Sequence, residues 1–240
     1  MLFIISSFSV QDSNFKFWLD RAAYHIATTS EISFESLDAE EYAVNAEEKQ
    51  NCRNWYNQNI LTAENPAYTF SLGGKKFNRD TKNWDISIGE ESKINEVYSG
   101  GKTTYINLTH KYSGIVATVE ATIYEEFASC DWTVFIKNTS NENSAVVSDF
   151  YAADCVLPIG KKAQAYFNKG SEPAADDFEL LTAPVSILPM KFTANGGRTE
   201  SFLPCFNLLG KDGGTAVAVG WSGQWFVSLA QTPNGTRLKA

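Results

Sequence analysis

The sequence predicts an all-β fold, an antiparallel sandwich preceded by a short N-terminal helical segment. Residues 115–124 and 130–137 alternate between two faces and are rich in β-branched and aromatic residues, which is the signature of strands. Many short segments of this kind follow residue 60, with almost no helical pattern among them. The 240 residues are 43% hydrophobic and 13% aromatic, so the chain can fill the core of one large domain.

The one helix is predicted in the lead that precedes the strands. Asp38 is the expected N-cap, and Glu41 follows three residues later, as in a capping box. Alanine and glutamate favour helix from there to about Asn57. We therefore divide the chain into a lead with one helix at residues 1–58 and a β-domain at residues 59–240. The first eight residues are apolar but lack a basic region and a cleavage site, so they indicate a core strand or an arbitrary chain boundary rather than a signal peptide.

The strands of the β-domain are predicted from their alternating pattern. In the segment at 130–137, the side chains of Trp132, Val134 and Ile136 fall on one face of a strand. Five further strands are predicted near residues 145–152, 186–193, 202–208, 215–221 and 224–230.

The charge and hydropathy of the chain disfavour two classes of partner. A net charge of −8 argues against nucleic acid, which binds to basic faces, and against an anionic membrane surface. No window approaches the ~18 apolar residues of a membrane-spanning helix. Because no convincing signal peptide is present, a cytoplasmic location is slightly favoured over a secreted one.

Cysteine and histidine are too scattered to indicate a metal centre. Cys52, Cys130, Cys155 and Cys205 include no Cys-x-x-Cys pair, so zinc ligation is not expected. We predict four buried free thiols, with a disulfide framework as the alternative. The two histidines are far apart in the sequence, and no His-Glu-x-x-His, P-loop or Gly-x-Ser-x-Gly motif is present. The sequence therefore indicates no metal and no cofactor.

Carboxylates are plentiful, and glycoside hydrolysis needs only two of them. The most conspicuous pair, Asp176 and Asp177, lies in the polar run at residues 170–178. Adjacent residues of an extended segment point to opposite sides, so this pair is predicted to lie in a solvated loop and not to flank one scissile bond. The pairs at residues 90–91 and 125–126 receive the same interpretation. No catalytic residue is assigned.

The segment from Gly213 to Trp225 carries the most informative pattern. A two-glycine turn leads into small and β-branched residues that suit a buried strand, and Trp221 and Trp225 bracket Ser-Gly-Gln at its end. A flat aromatic face can stack on the C–H groups of a pyranose while Gln224 bonds the sugar hydroxyls. The alternative is that both tryptophans plug the end of a sandwich core. If the strand keeps its register, we expect Trp221 to belong mainly to the core and Trp225 or Gln224 to lie nearer a sugar.

Four stretches of the chain share a pattern with one known family. They are residues 68–75 with Gly-Gly-Lys, residues 131–139 with Asp-Trp-Thr and Lys-Asn-Thr, residues 168–178 with Lys-Gly-Ser and Asp-Phe, and residues 196–225 with Gly-Gly-Arg, Leu-Pro-Cys-Phe-Asn-Leu and Gly-Trp-Ser-Gly-Gln-Trp. With these stretches the chain resembles the N-terminal β-domain of family 36-type glycoside hydrolases, the alpha-galactosidases and their relatives. It departs from the family at Cys205, where phenylalanine is usual.

The resemblance implies an antiparallel two-sheet supersandwich, truncated at its C-terminal end, that precedes a (β/α)8 barrel with the aspartate nucleophile and the acid/base. Full-length relatives hydrolyse terminal alpha-galactosides, so a galactoside-type carbohydrate and the barrel of the same polypeptide are the implied partners. This chain is then a non-catalytic domain, expected to be inactive alone, that helps to shape the sugar pocket. Its substrate-binding candidates are Trp221, Gln224, Trp225 and Arg198. For Arg198 the alternative is a structural turn after two glycines.

Two other functions stay open at this point. A free-standing carbohydrate-binding module would use the same tryptophans on an open face, and a purely structural domain would present only an apolar patch. If the last strands are missing, an unpaired edge also predicts self-association into a homo-oligomer or marginal stability.

Overall fold

The computed structural model describes residues 3–8, 45–62, 66–77, 84–90, 92–93, 101–110, 114–124, 128–194, 199–211, 213–220 and 223–240. Over these residues the predicted all-β fold is confirmed. The described elements are one α-helix, α1 (Ala46–Tyr56), and the strands β1 (Phe3–Phe8), β2 (Thr69–Leu72), β3 (Lys75–Lys76), β4 (Trp84–Ile88), β5 (Ser92–Lys93), β6 (Gly101–His110), β7 (Ile115–Tyr124), β8 (Ser129–Asn138), β9 (Val147–Tyr151), β10 (Asp154–Leu157), β11 (Gln164–Lys169), β12 (Leu180–Pro184), β13 (Met190–Thr193), β14 (Phe202–Leu209), β15 (Gly214–Val219), β16 (Phe226–Thr232) and β17 (Gly235–Lys239).

Every described strand pairing is antiparallel, and the described strands form three sheets. The largest sheet has the order β12-β11-β14-β15-β1-β8-β7-β6-β4, with β5 paired to β6. A four-stranded sheet has the order β10-β17-β16-β13, and a small sheet has the order β3-β2-β9. Buried side chains from all three sheets and from α1 join in one core, as in a sandwich.

Helix α1 begins later than predicted. Asn45 is its N-cap: the Asn45 side chain accepts a hydrogen bond from Glu48 N at 2.8 Å, and Glu48 Oε2 accepts one from Asn45 N at 3.0 Å. Asn45 is extended, with φ −76° and ψ 166°, so no helix can run through it from Asp38. Asp38 itself lies outside the described residues. After Tyr56 the chain continues as a π-helical turn, Asn57–Leu61.

One face of this helical segment holds it against the sheets. Cys52, Tyr56 and Ile60 recur every four residues and are all buried. The Tyr56 hydroxyl donates to the backbone oxygen of Ala121 in β7 at 3.3 Å. Within the described part of the chain, no helix is long and apolar enough to cross a membrane.

Strand β8 has the predicted two-faced character. Trp132 is fully buried and Val134 is buried on the core face, while Phe135 on the other face is half exposed. The indole Nε1 of Trp132 donates to the backbone oxygen of Ala152 at 2.7 Å. The core tryptophan therefore also has its one polar atom satisfied.

Strand β1 lies in the middle of the largest sheet. It pairs with β15 on one side, where Phe3 opposes Val219, and with β8 on the other, where Phe3 opposes Trp132. The apolar start of the sequence is thus a strand, which was one of the two alternatives. The domain boundary at residues 58 and 59 stays a prediction.

The four cysteines are free, but the prediction that all four are buried is wrong for one of them. Cys52, Cys130 and Cys155 are buried, whereas Cys205 is exposed. Cys205 lies on β14, where the buried positions Phe206 and Leu208 alternate with more exposed ones. The strand period therefore places this thiol away from the core.

Replacement of Asp131 on β8 is expected to stabilise the fold in a pH-dependent way, because the carboxyl group of this residue is buried. Burial raises its pKa above the ordinary value of 3.8, although the Tyr124 hydroxyl, which donates to Oδ2 at 2.7 Å, favours ionisation. The folded chain therefore holds this proton more tightly than the unfolded chain. That stabilisation is complete below the unfolded pKa and is lost as the pH rises through the folded pKa, so the ionised group destabilises the fold at neutral pH. We expect Asp131→Asn to raise the melting temperature at pH 7 and to have little effect near pH 3.5.

Asp177 provides a control, because substitution there is expected to change the melting temperature in the opposite direction. The Ser171 hydroxyl and the Glu172 backbone N–H hold its pKa below the ordinary value. The ionised Asp177 carboxylate stabilises the fold above the unfolded pKa, and this stabilisation is lost as the pH falls through the folded pKa. Asp177→Asn should therefore lower the melting temperature at pH 7. In acid, the variant and the parent chain should have the same melting temperature. An Asp131→Asn variant that is less stable than the parent chain at pH 7 would contradict the burial argument.

Candidate functional site

The structure describes two of the four predicted substrate-binding residues. Gln224 and Trp225 lie directly before β16, while Trp221 and Arg198 lie outside the described residues. Gln224 is exposed. The strand predicted up to Trp221 ends at Val219, and Val217 and Val219 share the buried face of β15 as expected.

Trp225 is a core residue in this structure. Only 3% of its surface is exposed, and its ring meets Phe206 edge-on with centroids 6.2 Å apart. It extends an aromatic cluster in which Phe206, Phe167 and Phe202 pack around Phe192 at centroid distances of 4.7–5.1 Å. The burial of this ring accords with the alternative that the tryptophan plugs the end of the core, and it leaves Gln224 as the exposed member of the pair. Whether this residue reaches a sugar stays a prediction.

The end of β13 and the start of β16 meet at one corner of the fold. Strand β13 pairs with β16 so that Thr193 opposes Phe226, and Ala194 N donates to the backbone oxygen of Trp225 at 3.0 Å. The end of β13 therefore lies beside the point where the chain enters β16 from Gln224 and Trp225. The indole Nε1 of Trp225 is buried and has no hydrogen-bond partner.

The loop with Asp176 and Asp177 is solvated, as predicted. Asp176 and Glu179 both pair with the ammonium group of Lys169, and Lys169 Nζ lies 2.6 Å from Glu179 Oε2. Asp177 instead accepts hydrogen bonds from Ser171 Oγ at 2.7 Å and from a backbone N–H. The ion pair with Lys169 lowers the pKa of Asp176. Both aspartates are thus tied to separate partners in an exposed loop, and neither has the raised pKa of a general acid.

A second feature of the surface was not predicted from the sequence. A cleft of about 430 Å³ and an adjoining one of about 220 Å³ share four lining residues, Thr69, Lys76, Asp154 and Arg237. We call the two together the groove. It lies between the small sheet, which supplies β2, β3 and β9, and the edge of the four-stranded sheet at β10 and β17.

An ion pair forms the centre of the groove. Oδ1 of Asp154 accepts hydrogen bonds from Arg237 Nε at 2.9 Å and from Arg237 Nη2 at 2.7 Å. Lys76 Nζ is 4.0 Å from the other carboxylate oxygen, Oδ2. Lys239 Nζ lies 3.7 Å above the ring of Tyr151, a cation–π contact that fixes both side chains at the second cleft. These residues come from four strands, β3, β9, β10 and β17, that span residues 75–239, so no local motif could have revealed them.

Metal binding has no support in the described part of the chain. No group of three or more histidine, cysteine, aspartate or glutamate side chains within it could hold a metal ion.

Comparison with known proteins is informative at the level of structure only. No protein-family model and no curated protein matches the sequence. The chain is similar to the GH36 alpha-galactosidase AgaA from Geobacillus stearothermophilus, with a TM-score of 0.50 and 13% identity over 75% of this chain and 26% of that enzyme. It is similar to AgaB from the same organism, with a TM-score of 0.51, 13% identity and the same coverage. A variant of AgaA in complex with raffinose has a TM-score of 0.51 and 13% identity, and the match covers 75% of this chain and 27% of that one.

These similarities establish a shared fold. The chain spans about a quarter of the length of the alpha-galactosidases that it matches. Its β-rich architecture thus corresponds to one part of those larger enzymes.

Proposed function

We propose that this chain is the non-catalytic sandwich domain of an alpha-galactosidase-like glycoside hydrolase. The observation that carries the proposal is the match of 75% of the chain to 26% of each of two alpha-galactosidases. A fold alone does not fix a function. The family patterns at residues 68–75, 131–139, 168–178 and 196–225 add support that is independent of the coordinates.

In this role the domain packs on a (β/α)8 barrel and forms part of the sugar pocket. The proposed sugar contacts are Gln224, Arg198 and Trp221, and the buried Trp225 directly follows Gln224 in the chain. The exposure of Gln224 and the hydrogen bond between Ala194 and Trp225 favour this assignment. A galactoside is the proposed ligand, since a neighbour binds raffinose. A module that stacks a sugar on the face of Trp225 is disfavoured, because that ring is 3% exposed.

Adjacent apolar side chains offer a surface for such packing. Ile187 and Leu188, between β12 and β13, are 82% and 79% exposed. Two large aliphatic residues side by side in a loop are typical of a contact with another domain.

The chain alone is expected to show no alpha-galactosidase activity, because its conspicuous carboxylates, Asp176 and Asp177, have separate partners in an exposed loop. The measurement is release of nitrophenol from a nitrophenyl alpha-galactoside by the purified chain, with an intact GH36 alpha-galactosidase as the positive control. Turnover that survives repurification and disappears in Asp176→Asn or Asp177→Asn would overturn the proposal. Reading the coding sequence that flanks this chain for a (β/α)8 barrel, and assaying the complete product, tests the domain assignment directly.

A further inference from the structure

We propose that the groove is a second carbohydrate site, which takes a neutral saccharide unit. This goes beyond the proposed function, because the groove is built entirely from this chain and needs no barrel. It is also remote from the corner at Trp225. The hairpin after β16, with Thr232 and Asn234, lines the groove, whereas Trp225 precedes the other end of that strand. Seven strand residues separate the two places by about 23 Å.

A buried hydroxyl without a partner points to a ligand in the groove. Thr69 lines both clefts and is 7% exposed, and its Oγ1 makes no hydrogen bond within the protein. Buried polar atoms are almost always hydrogen-bonded, because an unmade bond is costly. Ser71, two residues along the same strand, lines the groove as well, so this face of β2 is the face turned to the groove. A ligand hydroxyl would supply the bond that Thr69 lacks.

The polar groups of the groove suit an uncharged polyol better than an ion. Lys76 and Arg237 are donors, Oδ2 of Asp154 is an acceptor, and Thr69 is both. Each sugar hydroxyl also donates and accepts, so it can satisfy such a mixed set. An anion would instead lie against the carboxylates of Asp154 and Asp149, and a cation would lie against the basic groups.

Part of the lining is apolar, and the larger cleft is of suitable size. Val156 and Pro233 line that cleft and can contact the C–H face of a pyranose. A volume of about 430 Å³ lies within the range of about 300–1,000 Å³ that is usual for small-molecule sites.

The test is to titrate the whole chain with raffinose and to measure binding by calorimetry and by saturation-transfer NMR. Thr69→Val removes the hydroxyl and keeps the shape, so we expect raffinose affinity to fall about 3- to 10-fold. The melting temperature should stay the same or rise by about 2–4 °C, because the hydroxyl makes no bond in the free chain. The fall in affinity, and not the thermal result, distinguishes a ligand-binding threonine from a purely structural one.

The chain offers two matched controls. Thr236 also has a buried hydroxyl without a partner but does not line the groove, so Thr236→Val should leave raffinose affinity unchanged. Lys76→Ala should weaken binding, while Lys75→Ala, one residue earlier on the same strand and outside the groove, should not. The lysines are exposed, so this second pair does not depend on the fold tolerating a buried change.

Three results would overturn the proposal. The first is that the parent chain does not bind raffinose. The second is that the two threonine variants, or the two lysine variants, change raffinose affinity equally. The third is that the groove binds inorganic phosphate in place of raffinose. None of them bears on alpha-galactosidase activity, so the outcome is independent of the proposed function.

Discussion

Replacing Trp225 by alanine is expected to lower the free energy of unfolding by about 3–5 kcal/mol. Only 3% of the surface of Trp225 is exposed, and its indole packs on Phe206 at the end of the aromatic cluster around Phe192. Truncation leaves a cavity beside Phe206 that the rigid neighbouring rings cannot fill. Chemical denaturation followed by circular dichroism measures the loss.

Gln224→Ala is the partner experiment at the adjacent position. Because Gln224 is exposed, this variant should unfold at the same denaturant concentration as the parent chain, within about 0.5 kcal/mol. In the complete enzyme it should raise KM for raffinose, whereas Gln164→Ala, at another exposed glutamine on β11, should not. If Gln224→Ala leaves KM unchanged, Gln224 does not face the sugar. If Trp225→Ala loses less than about 1 kcal/mol, the core placement of the indole is wrong.

The second large effect is expected at Gly170, in the Lys-Gly-Ser loop. A Cβ atom added there would lie 1.7 Å from the backbone oxygen of Thr199 and 2.2 Å from that of Glu200. Neither atom belongs to a flexible side chain, so the loop after β11 and the segment before β14 must move apart. We expect Gly170→Ala to destabilise the chain by about 3 kcal/mol or more.

Gly160→Ala is the matched control, because an added Cβ there has nothing within 4 Å. Its melting temperature should stay close to that of the parent chain, while Gly170→Ala should melt far earlier or fail to accumulate as soluble protein. Equal melting temperatures for the two variants would show that the close approach of residues 170 and 199 does not constrain the fold.

Strands with strong alternation were predictable from the sequence, and weaker ones were not. The segments at β7, β8, β14, β15 and β16 carry enough β-branched and aromatic residues to reveal their period. Strand β17, with the sequence Gly-Thr-Arg-Leu-Lys, was missed because its buried positions include a glycine and a threonine. The helix start was misplaced because Asp38 and Asn45 are each followed three residues later by glutamate, and local sequence cannot choose between two such patterns.

The candidate sites, like the strands, were predictable from the sequence only in part. Trp225 was singled out from the sequence, but the burial of its indole depends on contact with Phe206, which is 19 residues away in sequence. The groove depends on the pairing of Asp154 with Arg237, 83 residues apart. Such pairings are set by the order of strands in the sheets, which periodicity does not contain.

The central position of β1 has a consequence for the order of folding. Its six residues join two halves of the largest sheet, β12-β11-β14-β15 and β8-β7-β6-β4, which have no other described pairing between them. Phe3 pairs with Val219, so β1 must wait until more than 200 further residues have been made. At about 5–20 residues per second, translation of that stretch takes roughly 10–40 s. Until β15 is made, the edge of β1 that pairs with it stays open on the ribosome, and an open strand edge can pair with another chain.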